Sequence, residues 1–110
     1  EYADSCAPAE PRWRGLNRLG VKVVKEMNRI GMIVDVSHVS DATFADVLRF
    51  TTAPAICSHS SLRALCPHPR NITDDMLRAL AVNDFDALGM IRRNHISMML
   101  TRAESYRRLR

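Results

Sequence analysis

The strongest constraint on the fold is a repeated unit: a helical apolar period, a breaker, then a short β-branched run ending in Ser-His-x-Ser. Leu16, Leu19, Val23, Met27 and Ile30 recur at helical spacing, with Lys22, Lys25, Glu26 and Arg29 turned toward water. Gly20 weakens that helix and Gly31 ends it. Residues 32–39 are too few for a helix between breakers and apolar enough for a buried parallel strand. Ser40 and Asp41 open a second helix whose buried face is Phe44, Val47 and Leu48. Pro54 breaks the chain, and residues 55–59 read as a second strand. Thr73-Asp74-Asp75 caps a third helix with the stripe Met76, Leu77, Leu80 and Ala81. Residues 87–91 are a third strand candidate, and Ile96, Met99, Leu100, Ala103, Tyr106 and Leu109 mark one more amphipathic helix.

Strands alternating with helices of this length predict βαβ crossovers and a parallel sheet, an α/β fold. A dinucleotide-binding sheet would carry a glycine-rich turn after a strand, where this chain has Ser37-His38 and Ser58-His59. A partial (β/α)8 TIM barrel of about three βα units fits better, since 110 residues fall short of the roughly 250 of a closed barrel. The expected organisation is an irregular, proline-bearing lead-in over 1–14, a partial barrel over 15–91, and a basic amphipathic helix over 92–110. Six arginines against Glu104 give that last segment a charge of +5 out of a total of +4. With only Tyr106 among those arginines, it lacks the aromatic interleaving of a nucleic-acid binder, and no nucleic-acid partner is expected.

His38 and His59 occupy equivalent places at the carboxyl ends of the two strands, the catalytic edge of an α/β barrel. Neutral imidazole is a common zinc ligand, so the pair reads either as two ligands of one ion or as strand-end histidines bonded to adjacent serines. Asp35 has the opposite pleat parity to His38, which makes it a poor third ligand and a candidate for a structural role with backbone hydrogen bonds. Arg70 lies on the loop after the second strand, either as a surface arginine or as a clamp for a substrate carboxylate. The three cysteines form no CxxC, and Cys57, mid-strand, reads as a core residue. Asn71-Ile72-Thr73 matches an N-glycosylation acceptor, with Thr73 as a helix cap the competing reading.

Five blocks in order carry a resemblance: Gly15-Leu16 through Met32, Val34-Asp35-Val36-Ser37-His38-Val39-Ser40-Asp41, Ala53-Pro54-Ala55-Ile56-Cys57-Ser58-His59-Ser60-Ser61, Arg70-Asn71-Ile72 and Asp74-Asp75. Over 15–83 the chain closely resembles the renal or membrane dipeptidases, zinc peptidases on a (β/α)8 barrel, and Tyr2 to Cys6 resembles the loop before the first of these helices. The resemblance implies that His38 and His59 are ligands of one ion of a two-zinc centre, and that Arg70 binds the substrate's terminal carboxylate. It implies hydrolysis of a dipeptide by a hydroxide bridging two zincs. It also implies an extracellular or cell-surface glycoprotein held to the membrane only by a lipid (GPI) anchor of a full-length parent.

The family's His-x-Asp ligands, its bridging glutamate and its substrate-binding histidine fall before Glu1, so no catalytic residue is assigned here. The expectation is a piece of a zinc dipeptidase, inactive alone, with at most one partial zinc site. The alternative is a non-catalytic partial barrel that pairs with itself, as a homodimer, or with another chain, because three strands leave open sheet edges.

Overall fold

The computed structural model describes residues 2–7 and 10–83. The strand expected at 87–91 and the basic helix expected at 92–110 lie outside the described residues. Within them the order is α1 (Arg18–Arg29), β1 (Val34–Asp35), α2 (Asp41–Phe50), β2 (Ala55–Ile56) and α3 (Asp74–Asn83). The strands pair in parallel, Val34 opposite Ala55 and Asp35 opposite Ile56, with α2 as the crossover between them. This is the helix-linked parallel pairing that the alternation predicts, although each strand is two residues long and not the five to eight expected.

Each helix is closed by the residues that the sequence offers. Asn17 Oδ1 accepts the N–H groups of Leu19 and Gly20, both at 2.9 Å, so α1 starts one cap later than Leu16. At its end Gly31, with φ of 73°, donates to the Asn28 carbonyl and Met32 donates to that of Met27. That pair of bonds is a Schellman motif, and it needs the left-handed conformation glycine adopts without penalty. Ser40 Oγ accepts from Thr43 N to cap α2, and Thr73 Oγ1 accepts from Met76 N to cap α3.

The core lies between the short sheet and the helices: Val34, Val36, Ala55 and Cys57 from the strands, Val24 from α1, Phe44 and Val47 from α2, and Ile72 and Leu80 around α3. Cys57 is fully buried, and that burial pushes its thiol pKa up, which makes it an unreactive core thiol. The α1 stripe departs from expectation. Gly20 and Val24 are the buried positions, while Leu19 and Ile30 are more than half exposed. The reason is Gly20, where an added Cβ would overlap the Tyr2 carbonyl oxygen. The chain's beginning lies directly on that glycine, which turns the helix face by one residue. Met32 and Ile33, expected in a buried strand, are 53% and 44% exposed.

The described residues before α1 form no helix and are tightly held. Asp4 is 4% exposed. Its carboxylate accepts from the backbone N–H of Arg12, Trp13 and Gly15 at 2.9 to 3.1 Å. Its carbonyl accepts from Ser40 N and Thr43 Oγ1, and its own N–H reaches both the Gly15 carbonyl and Thr43 Oγ1. Burial opposes ionisation of this carboxyl, but the backbone N–H groups of residues 12–15 outweigh it and hold the pKa below the usual value. The lead-in is therefore folded around one buried anion and docked on the N-terminus of α2.

Candidate metal centre

Both histidines sit where the chain leaves its strand. After β1 the backbone turns at Ser37-His38, and His38 adopts a left-handed φ of 67°. A non-glycine residue there carries strain of about 1 to 3 kcal/mol and stays only where its surroundings hold it. Here the lead-in does so: Cys6 N and Ser5 Oγ both donate to the His38 carbonyl, at 2.9 and 3.1 Å, and Ser5 bridges Val39. After β2 the matching turn carries His59, whose backbone N–H donates to Ser37 Oγ at 3.1 Å. The two imidazole rings meet, with centroids 4.7 Å apart and planes inclined by 51°.

Asp35 lies close to His59, a neighbour that the parity argument about His38 does not address. Strand geometry ends at Asp35, so alternation does not extend to His38, and the carboxylate reaches across to the β2 turn. Its Oδ1 accepts from Ser37 N at 2.8 Å and Ser58 N at 3.3 Å. Its Oδ2 takes a short hydrogen bond from Ser58 Oγ and stands 4.0 Å from His59 Nδ1. Ser58 Oγ in turn lies 2.7 Å from His59 Nδ1. The expected backbone bonds are present, but the carboxylate also connects to the site. Desolvation works to raise the Asp35 pKa, and the hydrogen bonds from Ser58 and Ser37 overcome it, leaving the group ionised below its usual range. At His38 lost hydration, then the Arg70 guanidinium and the His59 ring, hold the pKa down against the pull of Asp35. A neutral ring, the form that binds metals, is thereby favoured.

Arg70 arrives on the same rim. Its Nη2 donates to the His59 carbonyl at 3.0 Å, and its own carbonyl accepts from Ser60 Oγ at 3.0 Å. The loop that carries it is closed by Asn71, whose amide donates to the Cys66 carbonyl and accepts from Ser61 N. With Asn71 buried and bonded in this way, the Asn71-Ile72-Thr73 triplet acts here as loop closure followed by helix cap. Arg63, which periodicity and spacing did not single out, clamps this loop. Its guanidinium makes two 2.7 Å bonds to Asp41 at the start of α2, and its Nε donates to the Asn71 carbonyl. Ser58, the serine beside His59, makes the bond to that ring which the reading of strand-end histidines bonded to adjacent serines expects.

Two imidazoles bound at 2.0 to 2.1 Å to one tetrahedral ion stand with their centroids about 5 Å apart, and the observed separation of 4.7 Å is close to that. Among the described residues no group of three or more His, Cys, Asp or Glu is placed to hold a metal.

A family model described as membrane dipeptidase (peptidase family M19) matches residues 1–103. This chain belongs to that family. The match extends beyond 15–83 on both sides and includes the lead-in that supports His38. The dipeptidase aclJ of Aspergillus oryzae is 58% identical over 84 residues, which cover 76% of this chain and 20% of that protein. The dipeptidase verJ of Clonostachys rogersoniana is 52% identical over 82 residues, 74% of this chain and 21% of that protein. Among solved structures, the probable dipeptidase PvdM of Pseudomonas aeruginosa superposes with a TM-score of 0.71 at 33% identity, over 74% of this chain and 22% of that one. A metallopeptidase of Rhodobacter sphaeroides, liganded with a phosphinate mimic of the dipeptide L-Ala-D-Ala, gives a TM-score of 0.63 at 32% identity, over 76% of this chain and 22% of that one. The chain thus spans about one fifth of the length of these relatives.

Proposed function

We propose that this chain is part of a zinc-dependent dipeptidase, within a (β/α)8 barrel, in which His38 and His59 hold one zinc and Arg70 binds the free carboxylate of a dipeptide. The observation that carries the reading is the meeting of the two rings, 4.7 Å between centroids, at the carboxyl ends of neighbouring parallel strands. Arg70 stands beside them as a planar, permanently charged donor suited to a carboxylate. Zinc supplies Lewis-acid polarisation of the peptide carbonyl and an activated water. The chain's own part is to present two imidazoles, hold them by the lead-in and the Ser37 and Ser58 hydroxyls, and orient the substrate by its charged end.

Among the described residues two nitrogen donors leave zinc short of the three or four protein ligands it takes in stable sites. The 110-residue chain is therefore expected to bind Zn²⁺ weakly and to cleave no dipeptide. Zinc titration followed by histidine NMR tests this: both ring signals shift together in the native sequence, and His38→Ala or His59→Ala removes the response of the other ring. Unchanged zinc binding in both variants, or chelator-sensitive dipeptide cleavage by the isolated chain, overturns it.

The exposed Ile30, Met32 and Ile33 beside the two-stranded sheet favour a second reading, a non-catalytic self-associating partial barrel. Light scattering decides between a concentration-dependent dimer and a monomer, and a monomer dismisses it.

A further inference from the structure

Proton counting around Ser58 sets the state of His59. A carboxylate only accepts hydrogen bonds, and a serine hydroxyl has one proton to give. Ser58 Oγ is within bonding distance of both Asp35 Oδ2 and His59 Nδ1, the latter at 2.7 Å. Were the hydroxyl proton directed at Nδ1, Oγ and Oδ2 would face each other as two acceptors with no hydrogen between them. The proton therefore goes to Asp35, and the Oγ lone pair takes an N–H from His59. Asp35 cannot serve the ring directly, because Oδ2 is 4.0 Å from Nδ1.

We propose that Asp35, acting through Ser58, fixes His59 in its Nδ1–H tautomer and so leaves the Nε2 lone pair as the donor offered to a divalent cation. The two are positioning residues, and the inference rests on the reading of His59 as a metal ligand. The surrounding bonds make the relay rigid. Asp35 Oδ1 is occupied by the N–H groups of Ser37 and Ser58, which fixes the carboxylate plane and aims Oδ2 at the hydroxyl. The His59 backbone N–H is tied to Ser37 Oγ across the strand pair. Such outer partners of a ligating histidine select which ring nitrogen is free, and their loss costs about 10- to 100-fold in metal affinity.

The same two backbone N–H groups make Asp35→Asn a directed test. They require an oxygen at the Oδ1 position, which places the new NH₂ against Ser58 Oγ. The hydroxyl must then accept from Asn and donate to His59, reversing the relay and moving the ring proton to Nε2. In the ¹⁵N-labelled 110-residue chain without metal, at a pH where the ring is neutral, His59 is expected to show an Nδ1–H tautomer. It is expected to switch to Nε2–H in Asp35→Asn and to lose its preference in Ser58→Ala, and Ser58→Thr restores it. Zn²⁺ affinity by titration is expected to fall about 10- to 100-fold in Asp35→Asn and Ser58→Ala and to recover in Ser58→Thr. An Nε2–H tautomer in the native sequence, or a folded Asp35→Asn that keeps Nδ1–H, overturns the relay. A native Nδ1–H ring that gives no response to Zn²⁺ upholds the tautomer relay and overturns the metal reading instead, so the two failures are told apart.

Discussion

Asp4 and Asp35 put the same side chain to opposite uses. Asp4 is 4% exposed and spends its carboxylate on backbone N–H groups of the lead-in, so it organises main chain. Asp35 is about a third exposed at its side chain and divides itself, one oxygen to backbone N–H groups and the other to a hydroxyl that touches His59. Both are held ionised against desolvation by hydrogen bonds. The comparison separates scaffold from rim: the buried anion ties together the main chain of the lead-in, and the exposed one links the β1 end to the serine beside His59.

The largest expected effect breaks the scaffold side. Asp4→Ala leaves the buried N–H groups of the lead-in without their acceptor and frees the segment that bonds the His38 carbonyl. A drop of the melting midpoint on the order of 10 °C is expected by calorimetry. The effect also has a pH signature. A carboxyl whose folded pKa lies below its ordinary value near 3.8 contributes stability that is complete above that value and lost as pH falls through the folded one. The native chain should therefore lose stability on acidification below about pH 4, and Asp4→Ala should flatten that limb more than Asp35→Asn. Equal acid limbs in the two variants would erase the distinction between them.

Gly20→Ala comes next. Helix propensity favours alanine by up to about 1 kcal/mol. The added Cβ, however, meets the Tyr2 carbonyl and approaches the Leu16 side chain, so either the lead-in lifts off α1 or the helix shifts. Overpacking of that kind costs about 1 to 3 kcal/mol, and urea unfolding should show a net loss. A gain would mean that the lead-in is not seated on the helix.

This glycine shows where the sequence was legible and where it was not. Helical periods, caps and strand ends are local, so all three described helices and the placing of His38 and His59 at two strand ends were legible in spacing, while spacing left open whether the two rings meet. Gly20 was read as a weak point of a helix because its reason is Tyr2, a residue outside the period. Asp4 and Arg63 were invisible for the same cause: their partners lie up to 39 residues away in sequence, and only the fold joins them. At Asp35 the expected backbone hydrogen bonds are present, and its approach to His59 is the part that spacing does not show. Pleat parity holds only while the strand lasts, and this one ends at Asp35 itself, one turn before the left-handed His38.

That left-handed backbone supports the smallest effect and the most discriminating one. His38 is exposed, so its ring adds little to the core, while its φ of 67° costs the fold something that a ring at the surface does not return. Asparagine tolerates this conformation better than histidine does. His38→Asn should therefore leave stability unchanged or raise it by up to about 1 kcal/mol, while abolishing the joint zinc response of residues 38 and 59. A clear destabilisation by asparagine would instead make the ring pair a packing contact, and would move His38 from the rim's chemistry to the scaffold that Asp4 represents.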